Sequence, residues 1–148
     1  DNLEYLEASG HRYIVGARLK NMSKEIKAEL QDLESYEQSG DTKYKDLDLA
    51  STKRRIISHY CPKRARKDQH ERDKSIEKLM KKVSKNADPT KLISNYGYKK
   101  YINIRGKSEI SIDKEKIATD AKWDGICGII TNDTSIAVED ALMHYKGL

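Results

Sequence analysis

The chain has 148 residues, about one domain's length. Charged residues make up 36% of it and hydrophobic residues another 36%, with a mean hydropathy of −0.87. No apolar run approaches the roughly 18 residues that a membrane span needs, and no secretory signal is expected. The chain opens on Asp1 rather than Met, as a fragment or processed product would. It contains nine Tyr, one Trp and no Phe, so a modest core is expected.

The net charge of +5 is unevenly spread. Residues 1–52 carry 7 basic and 11 acidic groups, and residues 86–148 carry 9 of each. Residues 53–85 carry 13 basic and 4 acidic groups, a local net of +9. Such a block points to a polyanion, most often nucleic acid, or else to a solvated helix surface. Cys61 and Cys127 belong to no C-x-x-C pair, so neither structural zinc nor a disulfide framework is expected. Both read as buried small residues in strands of a cytosolic protein.

In chain order, residues 2–8 read as a short helix stopped by Ser9-Gly10. Tyr13–Ala17 reads as a strand buried on both faces, with no neighbour in the preceding chain. Ser23 caps a helix to about Leu33, with Ile26 and Leu30 as its apolar edge. Residues 34–52 are polar, with a turn or loop at Ser39-Gly40-Asp41. Arg55–Cys61 reads as a strand, and a long helix follows over about 63–85, ended by Asn86–Asp88 and Pro89. Residues 90–95 allow a further helical turn. Lys99–Arg105 and Glu109–Asp113 alternate apolar and polar residues as the arms of a hairpin, with Gly106 in its turn. Lys114–Ala121 reads as a short helix and Trp123–Thr131 as a strand. Asn132–Ser135 offers capping side chains to a closing helix.

On a helical wheel, Ile76, Leu79, Met80 and Val83 fall together, while Lys67, Lys74, Lys78, Lys81 and Lys85 fall opposite. The N-terminal half of this helix has little besides Ala65 to bury. A lysine stripe suits contact with phosphates, which positions without reading bases. Arg54, Arg55, Arg64 and Arg66 could add two-pronged phosphate contacts. The competing reading is a charged surface helix with Glu71 and Glu77 in local pairs.

No P-loop, dinucleotide fingerprint, H-E-x-x-H or calcium loop occurs. His11, His59, His70 and His144 are scattered, as surface or strand residues would be. Tyr96-Gly97-Tyr98 and Tyr101 either stack on bases or pack a small sheet.

Three segments resemble bacterial insertion-sequence transposases of the DDE type. The first runs from Asn2-Leu3-Glu4-Tyr5-Leu6 into Tyr13–Asn21. The second is Lys63-Arg64-Ala65-Arg66-Lys67-Asp68 with Arg72 and the helix to Lys82. The third is Trp123-Asp124-Gly125 through Ile130-Thr131-Asn132 and then Ala141 to Leu148. The resemblance implies a partial ribonuclease-H-like core within a mixed α/β fold. Residues 1–20 would be a helix and the last strand of that core. Residues 21–121 would be an α+β insertion domain with the basic helix and the hairpin. Residues 122–148 would be a returning strand and the start of the catalytic helix.

The resemblance also implies what the chain contributes. Whole enzymes of this kind use Mg²⁺ or Mn²⁺ to drive attack on a phosphodiester. Two metal-binding Asp residues would lie upstream, and the Glu would follow Tyr145 by about seven positions, about four past Leu148. Leu148 itself departs from the family pattern, which has a basic residue there. No catalytic acid maps onto the chain, so the segment alone is expected to be inactive and to hold no metal. Its expected role is to bind and position transposon-end DNA through Lys63, Arg64, Arg66, Lys67, Arg72, Lys74, Lys78 and Lys81. Tyr145 would lie beside DNA or the active site, or pack in the core. The implied setting is the bacterial cytoplasm, at the nucleoid, with self-association open to the full-length parent. The alternative is a stand-alone, non-catalytic nucleic-acid-binding or interaction module.

Overall fold

The computed structural model describes residues 2–85, 100–105 and 109–146. The expected helix stop at 86–89, the turn at 90–95, Tyr96-Gly97-Tyr98, Lys99, Gly106 and the last two residues lie outside them. The fold is mixed α and β, with antiparallel sheets and five α-helices among the described residues. The chain divides into two compact units, residues 1–61 with 126–148, and residues 62–125. These divisions do not coincide with the expected boundaries at 20/21 and 121/122.

The first unit opens with α1 (Asn2–Ala8). Gly10, at φ +73°, ends it, donating to the Glu7 carbonyl while the His11 N–H donates to the Leu6 carbonyl. Strand β1 (Ile14–Gly16) follows, then a 3₁₀ turn at Leu19–Asn21 and helix α2 (Lys24–Gln31). Ser23 caps α2 as expected, its Oγ accepting from the Ile26 N–H at 3.3 Å. Three strands come next, β2 (Glu37–Ser39), β3 (Thr42–Leu49) and β4 (Arg54–Tyr60). After the second unit the chain returns as β7 (Ile126–Thr131) and α5 (Val138–Lys146).

All five strands of this unit join one antiparallel sheet in the order β1-β7-β4-β3-β2. Two expectations change here. The strand near Tyr13–Ala17 is not buried on both faces. It is a three-residue edge strand with Ile14 and Val15 half-buried and Gly16 exposed. Its partner lies downstream, in β7, with Val15 opposite Ile130. The polar stretch 34–52 holds a hairpin, with Gly40 at φ +55° in its two-residue turn. Leu47 and Leu49 alternate there with Asp46 and Asp48, so one face of β3 is half-buried despite its charge.

The central strands β4 and β7 carry the core. Ile57 pairs with Ile129, and both pack beneath Ala141 and Leu142 of α5. Each fully buried aliphatic side chain of this kind contributes about 1.5–3 kcal/mol. On the other face Ser58 pairs with Gly128. The Tyr36 hydroxyl bonds Ser58 Oγ and donates to the Leu30 carbonyl, each at 2.7 Å. Gly128 leaves room for buried Leu19, whose Cδ2 lies 2.9 Å from where a Cβ would stand.

The second unit begins with α3 (Pro62–Ser84). Pro62 fits its first turn, where no N–H is needed. Strands β5 (Ile102–Arg105) and β6 (Glu109–Ile112) form the expected hairpin, with Ile102 opposite Ile112 and Ile104 opposite Ile110. Helix α4 (Lys114–Ala121) is capped by Asp113, which accepts from the Lys116 N–H at 3.0 Å. Leu79, Tyr101 and Ile102 form the core, flanked by Ile76, Val83, Ile110, Ile112 and Ile117. Trp123–Gly125 is a turn rather than the start of a strand, because Gly125 takes φ +77° there.

Candidate nucleic-acid interface

Helix α3 runs for 23 residues, about 34 Å at the standard rise. Its C-terminal half is held by apolar contact through Ile76, Leu79 and Val83. Met80, expected in the same stripe, is instead 55% exposed, because it lies at the stripe's margin.

The N-terminal half is anchored by polar groups instead. Arg72 forms a two-pronged bond to Asp124, Nη1 to Oδ1 at 2.5 Å and Nη2 to Oδ2 at 2.6 Å. The two side chains are only 9% and 19% exposed. The bond to Asp124 raises the already high Arg72 pKa, so the guanidinium stays charged. One turn earlier, Asp68 Oδ2 accepts the Gly125 N–H at 3.0 Å. Ala65, Asp68, Arg72, Ile76, Leu79 and Val83 therefore share the anchored face of the helix wheel.

The opposite face is charged and exposed, and it carries Lys63, Lys67, Lys74, Lys78 and Lys81. Arg66 is exposed beside it. Local pairing divides these groups. Lys67 lies 3.7 Å from Glu71, Lys81 lies 2.6 Å from Glu77, and Arg64 lies 3.7 Å from Asp68, each at i,i+4. Exposed pairs of this kind contribute little and exchange readily for another anion. Lys63, Arg66, Lys74 and Lys78 form no ion pair among the described residues. Of the eight residues expected to meet DNA, seven thus reach solvent and one, Arg72, is committed to the interior.

Arg54 and Arg55, considered above as phosphate contacts, are also committed elsewhere. Arg54 Nε and Nη2 donate to the two oxygens of Glu7 at 2.7 and 3.1 Å. Arg55 is buried, pairs with Asp46 at 2.9 Å and donates to the carbonyls of Thr134 and Ile136. Tyr101 is a core residue whose hydroxyl donates to Asp120 at 2.6 Å, and burial raises its pKa. Tyr145 is 39% exposed, and its hydroxyl lies over Gly16, 2.7 Å from the place of a Cβ.

The anchoring groups Asp68, Asp124 and Gly125 were not among the expected functional residues. Their signals were present: Asp68 and Arg72 share the anchored side of the wheel, and Asp124-Gly125 is a turn dipeptide. Cys61 follows β4 and Cys127 lies in β7, both half-buried rather than buried. Among the described residues, no three His, Cys, Asp or Glu side chains gather as a metal site. No helix among them is long and apolar enough to cross a membrane. No family model, curated protein or solved structure matches the chain.

Proposed function

We propose that the chain is the DNA-positioning segment of an insertion-sequence transposase of the DDE type. The observation that carries the DNA-binding part is the cationic face of α3, held rigid from behind by the Arg72–Asp124 bond and the Leu79 core. A row of ammonium groups on a fixed helix meets a phosphate backbone without prior ordering of the chain. No Phe, Tyr or Trp interleaves with the lysines, which favours contact to the backbone over stacked bases.

The transposase part rests on the resemblance of the three segments. In this reading the sheet carrying β1 and β7 adjoins a ribonuclease-H-like core, and α5 begins the helix bearing its Glu. In this reading the metal chemistry belongs to acids outside the chain, as the resemblance implies. This segment's own part is to grip and orient the DNA. A second reading, a self-contained binding module, draws support from the separate core that residues 62–125 build around Leu79.

The two readings separate in the gene. The transposase reading requires a Glu codon about four positions beyond Leu148 and Asp-bearing strands encoded upstream of Asp1. A start codon beside Asp1 and a stop after Leu148 would exclude it and leave the module.

A further inference from the structure

The first unit has a cleft of about 430 Å³ between the loop after α1 and the turn joining β3 to β4. Its lining includes His11, Arg12, Thr52, Lys53 and Arg54, together with Glu4 and Glu7. Two features of this lining decide what it can hold.

The first is that the Glu7 carboxylate is neutralised in place. Both oxygens accept from Arg54, and one also accepts from the Tyr13 hydroxyl at 2.6 Å. The second is that the loop carrying Arg12 is held in place before any ligand arrives. Asn132 pins the loop from both sides, its Oδ1 accepting the Tyr13 N–H and its Nδ2 donating to the His11 carbonyl. Arg12 reaches Asp133 Oδ2 at 3.0 Å. Asp133 is itself held, because its Oδ1 accepts from the Ser135 N–H, the Ser135 hydroxyl and the Ile136 N–H. That single bond uses one of five guanidinium donors, and the Arg12 side chain remains 76% exposed. Lys53 is exposed and forms no ion pair among the described residues.

We infer that this cleft is a phosphate-binding site, in which Arg12 and Lys53 hold the oxyanion and the Thr52 hydroxyl donates to it. A tetrahedral anion is matched by a planar guanidinium, an ammonium and a hydroxyl, and the backbone that carries Arg12 is already ordered. No large apolar side chain lines the cleft, and its cationic rim suits a phosphate group. The phosphate comes either from a nucleic-acid backbone or from a free phosphoanion. The site lies in the first unit and does not depend on the reading of α3.

The test is a titration of the ¹⁵N-labelled full chain with inorganic pyrophosphate, followed through backbone amide shifts. Saturable shifts are expected at residues 10–12 and 52–54. The double variant Arg12→Gln/Lys53→Gln, altered at exposed positions, should weaken them at least about tenfold. A blunt-ended duplex DNA added as competitor identifies the source. Loss of the pyrophosphate shifts assigns the cleft to a backbone phosphate, and their persistence assigns it to a free phosphoanion. Lys74→Gln/Lys78→Gln should leave the titration unchanged, so the cleft and the α3 stripe fail or succeed separately. Shifts that do not saturate, or that are equal in the Arg12/Lys53 variant, would overturn the inference.

Discussion

Replacing Arg72 by Met should unfold the second unit early while leaving the proposed DNA contact intact. The substitution keeps an unbranched side chain of helical propensity but removes both bonds to Asp124. Breaking one partner of a buried pair costs about 3–5 kcal/mol, since the remaining charge is stranded. Asp124 is 19% exposed, and water reaching it places the loss near the lower end, about 3 kcal/mol. With a urea m-value of about 2 kcal/mol/M, the midpoint should fall by about 1.5 M. Trp123, the sole Trp, is buried next to Asp124 and gives a fluorescence signal for this unit. Removing both charges in Arg72→Met/Asp124→Leu should recover at least about half of the loss. Affinity for duplex DNA, corrected for the folded fraction, should change by less than about twofold. A midpoint within about 0.3 M of the parent, with a clear fall in affinity, would refute the structural role and return Arg72 to the DNA face.

Three further outcomes follow from the first unit. Gly128→Ala should cost about 1–3 kcal/mol, because its Cβ meets buried Leu19 and, at 3.3 Å, the Ile57 carbonyl. Gly16→Ala meets only the movable tip of Tyr145 and should cost less than about 1 kcal/mol; equal losses in urea denaturation would contradict this difference. Asp133 is held down at a pKa of about 2 by bonds from Ser135 and, less strongly, from Arg12. Its contribution to stability is therefore complete above about pH 4 and lost as pH falls toward 2. Asp133→Asn should flatten that part of the melting profile, and an unchanged acid limb would count against the assignment. Burial, aided by the bond to Glu7, pushes Tyr13 up to about 12. The folded state then keeps this proton longer than the unfolded chain, so stability falls between about pH 10 and pH 12. Phenolate absorbance should show late-titrating tyrosines in the parent, with one tyrosine's share of that step missing in Tyr13→Phe.

Elements with clean periodicity were legible in the sequence. Ile76, Leu79 and Val83 mark one face of α3, and Ile102, Ile104, Ile110 and Ile112 set the register of the second unit's hairpin. The hairpin of β2 and β3 was harder to read because Lys43, Lys45, Asp46 and Asp48 mask a two-residue alternation at the sheet's margin. Arg72 and Arg66 are the same residue type six positions apart, and only folding brings Asp124 to one of them. Arg55 likewise finds its carbonyl partners about eighty residues away along the chain. Local pattern shows where cations cluster. Long-range contact decides which of them are used up inside the fold.

The proposed binding of phosphates by the free face of α3 has salt dependence as its signature. Fluorescence anisotropy with a labelled duplex between about 50 and 200 mM salt should give a log–log slope near −3 to −4, one step for each of Lys63, Arg66, Lys74 and Lys78. Lys74→Gln/Lys78→Gln should reduce the slope by about two. A slope unchanged by that substitution, or no binding at the lowest salt, would contradict the account.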